Sequence, residues 1–320
     1  GADCVSGGEG QAALDAGFPA DKIVFAGVGK ADWEINLGLD NDIFCFNVES
    51  AVELGIINEL AAAKNKVASI ALRINPEVDA HTHAKITTGM KENKFGINLS
   101  QLGGVLDKLK EMKNVKLIGI HSHIGSQITD MSSFRNLVIR FNEIQEELEA
   151  HGVTVENLNF GGGLGIDYYH PNHLSIPAFD NYFAAIHKLL QVRPGQQVHF
   201  EPGRSIVAQC GTLISKVLYV KEGETKKFAI LDAGFTELIR PAMYDAYHRI
   251  ENISSDEAVE TYDVVGPICE SSDVFGKDVE LNKAHRGDLI ALRSAGAYGE
   301  VMASQYNCRH LPKAYYSDTI

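Results

Sequence analysis

The sequence has 320 residues, of which 45% are hydrophobic and 22% charged, and its formal net charge is -13 at pH 7. This balance is ordinary for a globular enzyme and argues against a nucleic-acid partner or an anionic membrane surface. The cysteines at positions 4, 45, 210, 269 and 308 include no CxxC pair, which disfavours a disulfide framework or a zinc ribbon. No apolar run of the sequence is long enough to cross a bilayer, and we expect a cytoplasmic protein without a membrane partner.

Short apolar runs recur along the first two thirds of the chain, and segments with helical periodicity separate them. The runs predict seven strands, at residues 4–5, 23–25, 43–46, 69–74, 116–120, 158–160 and 198–200. Helices are predicted over residues 102–112 and 134–148, where apolar side chains recur three and four positions apart. Strands that alternate with helices predict an α/β fold with a parallel sheet, as in a TIM-like (β/α)8 barrel.

The pattern changes after residue 208. Residues 212–220, 227–231, 258–265 and 288–291 predict further strands, with turn residues at 223–224 and 286–287. We therefore expect a barrel domain over residues 1–208 and a β-rich domain over residues 209–320. The predicted barrel strands are one fewer than the about eight that close such a barrel, and soluble proteins avoid open sheet edges. The simplest interpretation is that the first strand precedes Gly1.

Two motifs with chemical potential follow predicted strands, where the active sites of (β/α)8 barrels lie. Gly161, Gly162 and Gly163 form a turn whose backbone could approach a phosphate closely, although glycine-rich turns after strands are common in any case. Glu201 and Arg204 stand in the sequence Glu-Pro-Gly-Arg after the last barrel strand. They could form a simple salt bridge, or the carboxylate could hold a ring nitrogen protonated while the guanidinium binds an anion.

A pair of histidines, His121 and His123, ends another predicted strand, and strand alternation places both on one face. Such a pair in a barrel can ligate a metal ion. His81 and His83 lie in a polar loop, and no further set of ligands follows the other strands, so the pattern favours no metal. A histidine in the core is the ordinary alternative.

The predicted β-rich domain contributes further polar loop residues. Cys269 follows a Gly-Pro pair and precedes acidic residues; a buried structural thiol is the usual fate of cysteine, but a loop held by Gly-Pro favours presentation of the thiol. Arg240, Tyr244 and Tyr298 are also predicted to lie in loops, where each alone is more often a surface or core residue.

Eleven stretches follow one another in an order typical of one enzyme family: VSGGE, NVES, RINP, KFGI, HSHIGSQ, NFGGGLGI, EPGR, DAGF, RPAMYDAYH, GPICESSD and GAYG. Together they resemble the fold-type III decarboxylases that depend on pyridoxal 5'-phosphate (PLP), and within them the diaminopimelate decarboxylases. The stretches run from Val5 to Gly299, and the resemblance covers nearly the whole chain. It implies an alanine-racemase-type barrel, the decarboxylation of meso-2,6-diaminopimelate to L-lysine and CO2, and a homodimer that shares its active site between subunits.

The resemblance also implies a role for each residue singled out above. His123 would stack on the pyridine ring, and Glu201 would pair with the pyridine nitrogen and favour its protonated form. Cys269 would donate a proton to the substrate, and Glu270 would bind the distal amino group, both in the active site of the partner subunit. The remaining roles would be cofactor binding by Ser126, Gly161, Gly162, Gly163, Gly203, Arg204 and Tyr298, and substrate binding by Arg204, Arg240, Tyr244 and Tyr298.

Two features depart from the family pattern. The family's Schiff-base lysine lies in a Y-x-x-K-A-N motif on the first barrel strand, and no such motif occurs in this sequence. Lys30, in the sequence Gly-Val-Gly-Lys, has a different context. The family's last strand would also follow Ile320. We therefore expect a truncated sequence, which as written could not bond the cofactor covalently.

Three alternatives stay open. The same fold could act on ornithine, arginine or carboxynorspermidine, although Cys-Glu-Ser-Ser-Asp together with Arg-Pro-Ala-Met-Tyr favours a substrate with a far amine and a far carboxylate. A regulator could keep the scaffold without the lysine. A metal-dependent barrel hydrolase could use His121 and His123.

Overall fold

The computed structural model describes residues 1–78, 94–174 and 177–317, so His81 and His83 lie outside the described residues. The chain divides into two compact units. The first unit comprises Gly1–Leu164 and Phe179–Pro202, and the second comprises Gly165–Ala178 and the chain from Gly203 onward.

The first unit alternates strands and helices. Its strands are β1 (Ala2–Cys4), β2 (Ile23–Phe25), β3 (Cys45–Val48), β4 (Ala68–Asn75), β5 (Ile97–Asn98), β6 (Val115–His121), β7 (Asn157–Asn159) and β8 (Gln197–His199). Its helices are α1 (Gly7–Asp15), α2 (Asp32–Asp40), α3 (Ala51–Ala63), α4 (Leu99–Glu111), α5 (Met131–Ala150) and α6 (Phe179–His187).

The strands of the first unit form one parallel sheet in the order β1-β2-β3-β4-β6-β7-β8, with the short β5 paired to β4. Along the path β1-β2-β3-β4-β6-β7-β8, each connection between neighbouring strands contains a helix, as parallel pairing requires. The TIM-like parallel sheet and the separate β-rich unit confirm the predicted fold class. The proposed strand before Gly1 stays a prediction.

Local sequence signals explain where the long helices begin. Ser50 caps α3 by accepting a hydrogen bond from the backbone N–H of Glu53, and Asp130 caps α5 by accepting one from the N–H of Ser132. The apolar face of α5 is buried in the main hydrophobic core, at Phe134, Leu137, Val138, Phe141, Ile144 and Leu148. Burial of that face holds the helix against the sheet.

Strand β4 shows how the sheet separates two kinds of side chain. Ile70, Leu72 and Ile74 belong to the main core that the helices share, whereas Ala71 belongs to a second, small apolar cluster. Because side chains alternate along a strand, Arg73 points to the same face as Ala71. This face therefore changes from apolar to polar toward the carboxyl ends of the strands.

The second unit contains a mixed sheet in the order β11-β14-β9-β10-β12-β13, in which only the β10–β12 pair is parallel. Its elements are α7 (Arg204–Val207), β9 (Leu213–Glu222), β10 (Lys227–Leu231), α8 (Arg240–Tyr244), β11 (Ile250–Asn252), β12 (Val259–Val265), β13 (Val274–Asn282) and β14 (Leu289–Leu292). Two of these strands, β11 and β13, were not predicted, and the predicted loop at Arg240 is a short helix with proline in its first turn. In the part of the chain that the structure describes, no helix combines the length and apolar character that a membrane crossing requires.

Candidate active site

Three neighbouring strands of the first unit place polar side chains in one row. Arg73 of β4 is in register with His121 of β6, which is in register with Asn159 of β7. Residues in register in a parallel sheet point to the same face, so the three side chains project together. All three are buried, at 6%, 1% and 7% exposure. Polar groups buried in this way need partners, and carboxylates that follow two other strands supply them: Glu49 after β3 and Glu201 after β8.

The Glu201 carboxylate follows β8 and is the partner of two residues in this row. Its Oε2 lies 3.2 Å from Nε2 of His121, and its Oε1 accepts a hydrogen bond of 2.7 Å from Nδ2 of Asn159. Burial by itself would raise the pKa of Glu201, but the charge and hydrogen bond of His121, followed by His123 and Asn159, lower it to about 2. Glu201 therefore stays ionised at neutral pH with a side chain that is only 10% exposed.

His123 lies in the loop after β6 and is held as a neutral ring. Its Nδ1 accepts a hydrogen bond of 3.1 Å from the backbone N–H of Gly162, so this nitrogen carries no proton. Burial, and next the charge of Arg73, lower the pKa of His123 to about 4. Ser126 lies three residues further on and is partly buried. The loop that carries both residues is joined to the glycine turn by a hydrogen bond from the N–H of Ile128 to the carbonyl of Gly163 (2.8 Å).

The glycine turn after β7 has no room for side chains. A Cβ added to Gly162 would lie 2.1 Å from the carbonyl oxygen of Glu201, and one added to Gly161 or Gly163 would lie 2.5 Å from a carbonyl oxygen. Gly161 and Gly163 also have positive φ values, +65° and +100°. The N–H of Gly161 is donated to Oδ1 of Asn159 and that of Gly162 to His123, so the turn and the polar row are tied together.

Two buried ion pairs of the first unit were not predicted, and one of them includes Arg73 of the polar row. Arg73 donates a 2.7 Å hydrogen bond to Glu49, whose second oxygen accepts from the N–H of Gly96. Lys30 pairs with Glu53 at 2.6 Å, and its ammonium group also contacts the carbonyl oxygens of Gly27 and Asn47 at 2.8 Å. A lysine with all three donors engaged is not available to a ligand, which agrees with the different sequence context of Lys30. Arg73 within β4 and Glu49 directly after β3 were the sequence signal for the first of these pairs.

The histidine pair does not form part of a metal centre in the described ranges, which contain no suitable group of three or more His, Cys, Asp and Glu residues. Strand β6 ends at His121, so His123 belongs to the next loop. The two rings have separate partners, Glu201 and Gly162.

The predicted arginines of the second unit lie together. Arg204, at the start of α7, donates a 2.7 Å hydrogen bond to the hydroxyl of Tyr168, and Arg240, at the start of α8, donates one of 3.1 Å to the same oxygen. Both arginines are buried, at 6% and 4% exposure. Arg240 also donates to Nε2 of His248 at 2.8 Å. Sequence reasoning singled out neither Tyr168 nor His248, although His248 is the last residue of the stretch RPAMYDAYH and Tyr168 shortly follows the stretch NFGGGLGI.

Tyr298 lies beside Arg204, whose guanidinium carbon is 5.0 Å from the centre of the tyrosine ring. A Cβ added to Gly203 would lie 3.3 Å from the Tyr298 hydroxyl, so glycine keeps the backbone close to this ring. Tyr298 is 42% exposed and has a φ of +61°, a strained value that the surrounding loop must maintain. Tyr244 is partly buried at the end of α8.

Cys269 and Glu270 lie on an exposed loop of the second unit. The loop is fixed by the buried Asp273, whose carboxylate accepts hydrogen bonds of 2.7 Å from the N–H groups of Phe235 and Ile268. Glu270 accepts a 2.6 Å hydrogen bond from the hydroxyl of Tyr306. The structure therefore presents both predicted side chains at the surface on a well-anchored loop.

Comparison with known proteins agrees with this arrangement. Residues 1–208 match the family described as pyridoxal-dependent decarboxylase, pyridoxal binding domain. The chain is 68% identical over 320 residues to diaminopimelate decarboxylase from Bacteroides thetaiotaomicron, covering all of this chain and 83% of that protein. The structure of Helicobacter pylori diaminopimelate decarboxylase (I148L mutant) complexed with L-lysine matches with a TM-score of 0.90 at 42% identity, covering 97% of this chain and 77% of the other.

A Chlorella virus arginine decarboxylase matches with a TM-score of 0.83 but only 22% identity, covering 96% of this chain and 80% of that one, and this likeness shows the fold alone. The diaminopimelate decarboxylases, by contrast, match this chain at much higher sequence identity over nearly its whole length. The chain therefore belongs to the pyridoxal-dependent decarboxylases and, within them, to the diaminopimelate decarboxylase family.

Proposed function

We propose that this chain is a carboxy-lyase that uses PLP to convert meso-2,6-diaminopimelate to L-lysine and CO2. The observation that carries the proposal is the Glu201 carboxylate, which His121 and Asn159 keep ionised in a buried row at the strand ends. Membership in the diaminopimelate decarboxylase family supports the same reaction. The L-lysine named for the Helicobacter pylori structure is the product expected of it.

The residues of the first unit fit a pyridoxal group. An ionised carboxylate favours the protonated form of a pyridine nitrogen. The low pKa of Glu201 (about 2) keeps its carboxylate negatively charged at neutral pH. His123, with a pKa of about 4, offers a neutral flat ring for stacking against the pyridine. The glycine turn is joined to the Ser126 loop by the hydrogen bond from Ile128 to Gly163, and turns of this kind after strands are common phosphate sites.

The bound cofactor supplies an electron sink for the pair of electrons that CO2 leaves at Cα. The negative charge of Glu201 has a fixed position, because His121 contacts one carboxylate oxygen and Asn159 donates a hydrogen bond to the other. Asn159 links this carboxylate to the glycine turn, since its amide donates to Glu201 and its oxygen accepts from Gly161. A displacement of Glu201 would therefore also disturb the turn.

Substrate binding is assigned to the second unit. Arg204 and Arg240 are the groups suited to the carboxylate that the product retains, since guanidinium groups bind carboxylates in bidentate fashion. Their shared contact with the Tyr168 hydroxyl supports a common role. Tyr244 and Tyr298 complete this assignment, with Tyr298 and Gly203 also directed to the cofactor.

We assign Cys269 as the proton donor to Cα and Glu270 as the group that binds the distal amine. Both are exposed in the single chain, on a loop that Asp273 anchors. This exposure leaves both side chains accessible to a second subunit. We therefore propose a homodimer in which each subunit supplies these two residues to the active site of its partner, and we propose that the protein is cytoplasmic.

A direct assay tests the proposed function. The protein produced from its complete gene is loaded with PLP and supplied with meso-diaminopimelate, ornithine or arginine, and CO2 release is measured for each. We expect CO2 and L-lysine from meso-diaminopimelate, with kcat/KM at least about 100-fold above the values for the other two, because those lack the second amino-acid end. Faster turnover of ornithine or arginine, or absence of L-lysine, would contradict the proposal.

A further inference from the structure

Arg204 and Arg240 of the second unit share one hydrogen-bond acceptor. Tyr168 is buried, with 5% exposure. Its hydroxyl oxygen accepts a hydrogen bond from Nη1 of Arg204 at 2.7 Å and another from Nη1 of Arg240 at 3.1 Å. A phenolic oxygen has two lone pairs, so one neutral group can serve both cations. The hydroxyl thereby sets the separation of the two guanidinium groups.

His248 fixes Arg240 from a second direction. Its Nδ1 lies 2.9 Å from the carbonyl oxygen of Arg293, and a carbonyl can only accept, so Nδ1 carries the proton. Its Nε2 is therefore bare and accepts the 2.8 Å hydrogen bond from Arg240. The ring of His248 also packs edge-on against Tyr168, with centroids 5.1 Å apart at an interplanar angle of 77°. The neutral tautomer is thus determined by geometry.

The charge of Arg240 is not neutralised by these contacts. Within residues 1–78, 94–174 and 177–317, no carboxylate lies within 4.0 Å of Arg240, although the residue is only 4% exposed. Arg73, the other buried arginine described above, is paired with the Glu49 carboxylate at 2.7 Å. A buried cation without an anion is costly, which makes this place favourable for an anionic ligand. Burial, together with the charge of Arg204, lowers the pKa of Arg240, which agrees with a charged group that lacks a neutralising anion.

We propose that Tyr168 and His248 are positioning residues: Tyr168 sets Arg204 and Arg240 side by side, and both residues hold Arg240 through neutral acceptors, so that the positive charge of Arg240 is kept for the carboxylate that the product retains. This inference rests on the proposed function and deepens it, since it explains selection of an amino-acid end over a bare amine. A carboxylate at either position would hold the arginines as firmly but would compete with the substrate.

Four variants of the holoenzyme, produced from the complete gene, test this role. Tyr168→Phe removes the shared acceptor. His248→Gln keeps a neutral acceptor, and His248→Glu has nearly the same size but adds a negative charge. Tyr182→Phe is the matched control, because Tyr182 is a tyrosine of 1% exposure in the core of the first unit. Binding of L-lysine and of cadaverine, which is L-lysine without its carboxylate, is measured by calorimetry, together with kcat and KM for meso-diaminopimelate.

We expect Tyr168→Phe and His248→Glu to weaken L-lysine binding and to raise KM by about 10- to 100-fold, the range for a lost hydrogen bond or charge at a buried charged group. Binding of cadaverine and kcat should change less than about threefold, and His248→Gln should bind L-lysine within about threefold of wild type. Equal affinity of wild type and His248→Glu for L-lysine would overturn the inference. So would a parallel loss of cadaverine binding in folded Tyr168→Phe.

The outcomes separate the inference from the proposed function. If the wild-type holoenzyme releases no CO2 from meso-diaminopimelate, the proposed function fails, whatever the variants do. If the wild-type enzyme is active and the two variants bind L-lysine normally, only the positioning role fails. Should His248→Glu not fold, Tyr168→Phe with Tyr182→Phe as its control decides the question.

Discussion

Replacing His121 tests how the protein keeps the Glu201 carboxylate ionised. Burial would raise the pKa of Glu201, but the charge and hydrogen bond of His121, the two largest opposing effects, bring it from its usual 4.5 to about 2. That difference corresponds to about 3 kcal/mol, at about 1.36 kcal/mol for each pH unit. In His121→Leu burial becomes dominant, and we expect the pKa of Glu201 to rise above its usual value.

A protonated Glu201 would lose the charge-assisted contact that we propose with the cofactor nitrogen, and such a contact is worth about 1.5 to 3 kcal/mol. The Kd for PLP should therefore rise by about 10- to 100-fold at pH 6. The rise should be smaller at pH 8, because the carboxylate regains its charge as the pH increases. The assay is a titration of the cofactor-free protein, produced from the complete gene, with PLP at both pH values, followed by the absorbance of the bound cofactor.

Two further variants serve as controls. His121→Gln keeps an N–H donor without a ring charge and should bind PLP with intermediate affinity. His285→Leu removes an exposed His–Glu pair, in which Nε2 lies 2.8 Å from Glu257 and the side chains are 49% and 55% exposed, and should leave the Kd unchanged. Wild-type affinity in His121→Leu at pH 6, or an equal loss in His285→Leu, would refute the reasoning.

Three other predictions concern single positions. Gly162→Ala should weaken PLP binding at least about tenfold, because the added Cβ would lie 2.1 Å from a carbonyl oxygen. The control is Gly55→Ala, at a helix position where the added Cβ would have no atom within 4 Å beyond its chain neighbours and the helix backbone. This variant should bind PLP normally and unfold at about the same or a higher temperature. Lys30→Met should lower the free energy of unfolding in urea by about 3 to 5 kcal/mol, because it leaves the buried carboxylate of Glu53 without its cation. Lys64→Met, which removes an exposed ion pair with Asp40, should lower it by less than about 1 kcal/mol. Burial lowers the pKa of His248 from 6.5 to about 4, so its contribution of about 3 kcal/mol is present above pH 6.5 and lost as the pH falls to 4. Thermal unfolding of His248→Gln should depend less on pH between 6.5 and 4 than that of wild type, and equal slopes would contradict this.

The strands and helices of the first unit could largely be predicted from local periodicity. The predicted helix over residues 134–148 is α5 (Met131–Ala150), and its start differs because Asp130 caps the helix four residues before the apolar pattern begins at Phe134. Parallel strands are buried on both faces and therefore give continuous apolar runs, which are easy to recognise. The same reasoning places the glycine turn and Glu201 after strands.

The second unit was harder to predict because its strands are partly exposed. Strand β13 contains Gly, Lys and Asp in succession at residues 276–278, which breaks any alternating pattern, and pairing with β12 is what makes it a strand. Helix α8 has only five residues, too few for a periodic pattern. Such short elements form because the surrounding structure supplies their contacts, not because their own sequence favours them.

Residue types and their order alone determined the fold class and the family. They also led to the side chains that we propose to bind the cofactor and the substrate carboxylate. Only the tertiary structure decided which of those side chains pair. Asn159 meets Glu201 across 42 positions of sequence, and Arg240 meets Tyr168 across 72. The physical reason is that hydrogen bonds and charges act over a few ångströms, so their partners are chosen by sheet register and packing, whereas periodicity is a local property of the chain.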